Sequence, residues 1–143
     1  MKVVFTQGLQ GSGKSTWAKM KAMDPEWKRV NRDDLRLMLD NERFNPKNEN
    51  FITVVEDQII ASAIASGYNI IIDSMNLNTQ RIRERFAQIS RYIPSVVCEI
   101  KSFRDVPLEE CLKRDSVREF PVGEFVIRKT YNKHFDITTG ELL

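Results

Sequence analysis

The chain has 143 residues, 41% apolar and 29% charged, the length and balance of one folded domain with its own core, which excludes a disordered, collagenous or coiled-coil chain. Its 22 lysines and arginines against 20 acids leave a net charge of +2, too small for a coat over nucleic acid or a membrane-binding field, so any nucleic-acid contact must be local. Cys98, Cys111 and the single His134 are too few for a disulfide framework or a zinc site; the two thiols read as small buried hydrophobes, and with no signal peptide or membrane-length apolar run the expected compartment is cytoplasmic, the host cytoplasm for a viral chain.

Val3-Val4-Phe5-Thr6 is a short apolar run of the kind buried in a parallel sheet. Directly after it, Gly8-Leu9-Gln10-Gly11-Ser12-Gly13-Lys14-Ser15 has the Walker A spacing and opens a helix. Glycines let the backbone curl so that N–H groups converge on phosphate oxygens, and the helix N-terminus favours anions. Lys14 would neutralise the β- and γ-phosphates and the Ser15 hydroxyl would ligate Mg²⁺. Gly8, Gly11, Ser12, Gly13, Lys14, Ser15 and Thr16 are thus the expected contacts for ATP or another nucleoside triphosphate. The helix is predicted to run to Met23, with Trp17, Ala18, Met20 and Met23 near helical spacing before Asp24-Pro25 stops it.

Trp27 to Asn31 is a weak strand, and Asp34 to Leu39 opens a second helix. A phosphoryl acceptor needs a carboxylate that takes its proton and aligns it with the γ-phosphate, and Asp33 and Asp34 are the candidates on this rim, either of which could also cap the helix. Arg36, three residues after Asp33, would bind an anion on the acceptor. After the polar break Asn45-Pro46-Lys47-Asn48, the residues Phe51, Val55, Ile59, Ser62 and Ala63 share one helical face as far as Gly67.

Ile70-Ile71-Ile72-Asp73 is the strongest strand signal. In the turn beyond it, Asp73 could hold a Mg²⁺-bound water and Asn76 could hydrogen-bond the acceptor, although Asp, Ser and Asn also suit any such turn. A third long helix is predicted from Thr79 to about Tyr92 on the stripe Ile82, Phe86 and Ile89, with Arg81, Arg83, Arg85 and Arg91 as a solvated face that could also track a nucleic-acid backbone. Pro94 precedes a strand from Ser95 to Phe103. Leu108 to about Val117 reads as a helix carrying Arg114 and Arg118 on one face, placed as a lid that stabilises the transferring group; Glu110 offers Arg114 an ordinary surface ion pair. The stretch 119–123 looks hinge-like, and a final helix follows Pro121 with Phe125, Val126 and Tyr131 inward.

Strands alternating with helices imply an α/β, P-loop kinase fold: a mainly parallel sheet of about four to five strands, helices on both faces and a helical lid, over the single domain 1–143. Ligands then sit beyond the C-terminal ends of the strands.

Five segments in order, Gly11-Ser12-Gly13-Lys14-Ser15-Thr16-Trp17-Ala18, Asn31-Arg32-Asp33-Asp34 with Arg36, Asn76-Leu77-Asn78, Lys113-Arg114 with Arg118, and Val126-Ile127-Arg128-Lys129-Thr130-Tyr131, resemble the kinase domain of bacteriophage-type 5′-hydroxyl polynucleotide kinases. The resemblance implies ATP- and Mg²⁺-dependent phosphorylation of the 5′-OH of DNA or RNA in nucleic-acid repair. It selects Asp33 as the general base, places Arg36 on the phosphate 3′ to the terminal nucleoside, with Arg32 and Asn76 as further substrate contacts, and puts Arg114 and Arg118 on ATP phosphates. Two departures stand out: Asp73-Ser74-Met75-Asn76 replaces the family's Asp-Thr-Asn, and the stretch from Glu119 to Val126 is about two residues longer. The family's phosphatase motif, Asp-x-Asp-x-Thr/Val, is absent, so neither a phosphatase nor a ligase domain is expected. The expected partners are nucleic-acid 5′ ends held through few phosphates, with no membrane and with self-association open. A small-metabolite kinase and an ATP-binding switch without an acceptor are the rival readings.

Overall fold

The computed structural model describes residues 1–41 and 44–143. The elements in chain order are β1 (Lys2–Gln7), α1 (Lys14–Lys21), β2 (Trp27–Asn31), α2 (Arg32–Asp40), α3 (Glu49–Ala65), β3 (Asn69–Asp73), α4 (Thr79–Tyr92), β4 (Val97–Ser102), α5 (Leu108–Ser116) and α6 (Glu124–His134). Four strands form one parallel sheet, ordered β2-β3-β1-β4. Each crossover carries helix, as parallel pairing requires.

Alternation along the strands divides the core. Val3, Phe5, Val30, Ile70 and Ile72 face α3 and α4, where they meet Ile52, Ile60, Ile64 and Ile82. Val4 and Ile71 face the other way, onto Ala18 of α1 and Trp27. Both faces are covered, which is why the central strands are continuously apolar. A third cluster, Leu9, Leu77, Cys111 and Phe135, lies beyond the strand ends and fastens the loop after β1 to α5 and the segment after α6.

Three helices pack differently from their sequence patterns. α1 stops at Lys21, and Met20 and Met23 are exposed. On α3, Phe51 is 57% exposed and the buried line is Ile52, Glu56, Ile60, Ala63 and Ile64. A glutamate in the middle argues against that line in sequence; in the fold Arg32 and Arg85 reach Glu56 and neutralise it. On α6, Phe125 is 79% exposed and Val126 is also exposed, while Ile127 is buried and Tyr131 stacks on Phe135. Cys111 is buried and Cys98 half-buried, and burial pushes both thiols up.

Candidate active site

The chain leaves β1 through residues 8–13 and enters α1. Gly11 adopts φ 78° and lies so close to α5 that a methyl group there would overlap the Cys111 carbonyl oxygen. Gly13 is the N-cap of α1, and among the described residues no side chain caps that helix, so its first N–H groups are offered to an anion. The buried Lys14 ammonium donates to the Leu9 carbonyl and, at 3.4 Å, to the Ser12 hydroxyl. Ser12 in turn donates to the Leu9 carbonyl at 2.7 Å, so this hydroxyl shapes the loop. Burial pulls the Lys14 pKa down to about 8; Asp73 and, more weakly, Asp33 oppose the shift, while Arg118 adds to it. Three segments distant in sequence therefore converge on one ammonium.

β2 and β3 end side by side, with Asn31 opposite Asp73. Asn31 caps α2, its Oδ1 accepting the Asp34 N–H at 2.9 Å, and its amide donates to the Asp73 carbonyl at 3.0 Å. The capping role open to Asp33 or Asp34 in sequence thus belongs to Asn31, and both carboxylates are released from it. Arg29 donates through Nη1 to Asp34 at 2.6 Å and through Nε to Asp73 at 2.8 Å. Asp73 is only 1% exposed and also meets the Asn31 amide and the Thr6 hydroxyl. Its charge is already compensated inside the protein.

The Asp33 side chain is 72% exposed and accepts from Arg36 Nη1 at 2.6 Å. Arg36 is gripped from behind by Glu49, with Nε at 3.0 Å and Nη2 at 2.5 Å from its carboxylate. These hydrogen bonds hold the Glu49 carboxyl below the usual carboxylate range. Arg32 points into the frame: it donates to Glu56 at 2.8 Å and to Thr53 at 3.0 Å. The Asn76 amide nitrogen is committed to the Thr6 carbonyl at 2.7 Å and the Ile72 carbonyl at 3.1 Å, with its own backbone at φ 46°, so it ties the turn after β3 to β1.

α5 lies over the loop. Arg114 Nη1 comes within 3.6 Å of where a Cβ on Gly13 would be, while its Nε pairs with Glu110 at 3.0 Å. Arg114 thus makes the surface pair open to it in sequence while its guanidinium also faces the loop; α5 ends at Ser116, so Arg118 lies beyond it and does not share a helical face with Arg114. Buried Asp115 accepts the N–H groups of Val122 and Gly123, each at 2.9 Å, and meets Arg118 at 3.5 Å. The extended stretch after α5 therefore folds back around one carboxylate. Sequence reasoning missed Arg29, Glu49 and Asp115; only Asp115 had a local signal, sharing an inner face with Cys111 four residues earlier.

Among the described residues no cluster of three or more His, Cys, Asp or Glu is placed to hold a metal, and the Ser15 hydroxyl makes no hydrogen bond to them. One free hydroxyl beside a phosphate loop fits a Mg²⁺ ion that arrives on phosphates and does not fit a protein-built cage. The whole arrangement can bind a polyphosphate, present a carboxylate and an arginine to a second molecule, and bring two further arginines over the space between. No helix of the described residues is long and apolar enough to cross a membrane.

Residues 3–134 match the family model described as AAA domain. The chain is 29% identical over 153 residues to a protein of Autographa californica nuclear polyhedrosis virus named as a bifunctional polynucleotide kinase/RNA ligase, a match covering 94% of this chain and 21% of the viral one. Among solved structures, it superimposes on a chain of a Pnkp1/Rnl/Hen1 RNA repair complex with a TM-score of 0.74 at 30% identity, covering 90% of this chain. A second Pnkp1/Rnl/Hen1 structure gives a TM-score of 0.70 at 30% identity over 86% of this chain. The chain spans 42% of each of those chains and about a fifth of the viral relative.

Proposed function

The chain belongs to the AAA domain family, and we propose that within it this protein is a polynucleotide 5′-hydroxyl kinase, moving the γ-phosphate of ATP to the 5′-OH end of DNA or RNA in nucleic-acid repair. The observation that carries the reading is an exposed carboxylate paired with an arginine, Asp33 with Arg36, close enough to the buried Lys14 of the phosphate loop for its charge to act there. Kinase and RNA repair in the names of the relatives support the same reading.

In this reading the loop N–H groups and Lys14 hold the β- and γ-phosphates. Ser15 is the residue that would hold Mg²⁺, and the ion would supply neutralisation of the charge on the phosphates. Asp33 accepts the proton of the 5′-hydroxyl as its oxygen bonds to the γ-phosphorus, and the bond from that phosphorus to the β–γ bridging oxygen breaks to release ADP. Arg36 holds the acceptor's nearest phosphate. Arg114 and Arg118 close over the equatorial oxygens, where the transition state spreads its charge. Asp73 and Asn76 hold the rim together from beneath.

The decisive experiment supplies ATP labelled on the γ-phosphate, Mg²⁺ and 5′-OH DNA and RNA oligonucleotides. Label should move to the 5′ end, and no transfer to either polymer would overturn the proposal. Asp33→Ala should keep ATP affinity and lower turnover by about 100-fold or more, the usual scale for a lost general base.

A further inference from the structure

We propose that Glu49 is a positioning residue for acceptor recognition, holding Arg36 so that its guanidinium serves Asp33 and an acceptor phosphate together; this rests on the kinase reading above. Glu49 opens α3, 13 residues from Arg36. Its two oxygens take Nε and Nη2, a two-point pair that fixes the plane of the guanidinium. Nη1 is left to donate to Asp33 at 2.6 Å. Arginine carries five N–H donors; one on Nη1 and one on Nη2 stay available for a phosphate.

Glu49 is braced in turn. Arg32 meets it at 3.4 Å and is itself anchored at 2.8 Å on Glu56, which is fully buried and also receives Arg85 of α4 at 3.2 Å. Alternating charges therefore run from the acceptor rim through α2 and α3, past buried Glu56, to Arg85 of α4, which also meets the exposed Asp57. An arginine on a free side chain loses rotamer freedom when it grips a phosphate, and one already fixed loses less. Fixing it also sets the distance from the phosphate to Asp33, the quantity on which in-line alignment depends.

The test compares a nucleoside 3′-monophosphate with the unphosphorylated nucleoside as acceptors, for the unaltered chain, Glu49→Gln, Arg36→Ala and the double variant. Glu49→Gln should lower kcat/KM for the 3′-monophosphate by about 10- to 100-fold, narrow its advantage over the nucleoside, and have no further effect in the Arg36→Ala background. An unchanged or larger advantage in Glu49→Gln would overturn the inference, as for a carboxylate that only restrains Arg36. An equal loss in the Arg36→Ala background would overturn it too, as for a residue that only supports the fold. Should Glu49→Gln not fold, Glu49→Asp, which keeps the charge and shortens the reach, must show a partial loss confined to the phosphorylated acceptor. Absence of transfer by the unaltered chain would instead fell the kinase reading, and this inference with it.

Discussion

Lys14 is a cation held away from water, and its acid–base behaviour follows. Its pKa falls from 10.5 to about 8 on folding, through burial above all. The unfolded chain therefore holds more protons between those values, so this group's penalty is present at lower pH and disappears as pH rises through the window. A bound polyphosphate reverses the balance by favouring the charged form. Calorimetry of ATP binding at pH 8 in buffers of different ionisation enthalpy should show uptake of about half a proton. Zero uptake would mean either that burial does not bring the Lys14 pKa into this range or that Lys14 does not meet the phosphates. Lys14→Met should abolish nucleotide binding without lowering the melting temperature of the free protein, because a desolvated charge leaves with it. Lys14, Asp33, Arg36 and Arg114 could be singled out as candidates in sequence because each sits in a short motif with a proposed chemical purpose. Arg29 and Glu49 were not: the first finds Asp73 44 residues away and the second finds Arg36 13 residues away, distances at which no local pattern survives.

Among the elements, α5 is joined to the phosphate loop through backbone as well as side chains. Gly11 and Gly67 both have positive φ, but a methyl group on Gly67 would meet nothing within 4 Å. Gly67→Ala should therefore cost about 1 kcal/mol of backbone strain. Gly11→Ala adds overlap with α5, so urea denaturation should give a loss clearly above that figure, with weakened ATP binding. Asp115 organises the segment that follows α5. Asp115→Ala frees two N–H groups and Arg118 at once, and should destabilise the protein by roughly 1–3 kcal/mol while hydrogen exchange rises over residues 117–123; a protected loop would show that Asp115 is not its anchor. The central strands β1 and β3 were readable from apolar runs, since burial on both faces demands them. The inner face of α3 was not, because two adjacent apolar lines compete and the true one contains Glu56. The first turn of α6 misled for a related reason: Phe125 looks like core but stands outside.

At the scale of the whole molecule, a net charge of +2 gives little long-range attraction for a polyanion. If the acceptor is gripped near Arg36, only one or two phosphates are neutralised, and log affinity should fall against log salt with a slope of magnitude below about 2. A steeper slope, or a Michaelis constant that keeps falling as the oligonucleotide lengthens, would reveal a longer track along the protein. The sheet order carries a separate consequence. β1 lies in the middle, yet its register partners are Ile70–Ile72 of β3 and Val97–Ser102 of β4. The earliest strand to be made must wait for the synthesis of more than 60 residues before it has a neighbour. The phosphate loop hangs from the end of that strand, so it lacks part of its frame until β3 has been made. Pairing at such separations is slow, and the apolar run Val3-Val4-Phe5 is exposed to other chains in the meantime. A nascent chain released before Ile70 would carry the entire Walker A sequence and have nothing with which to hold it in shape.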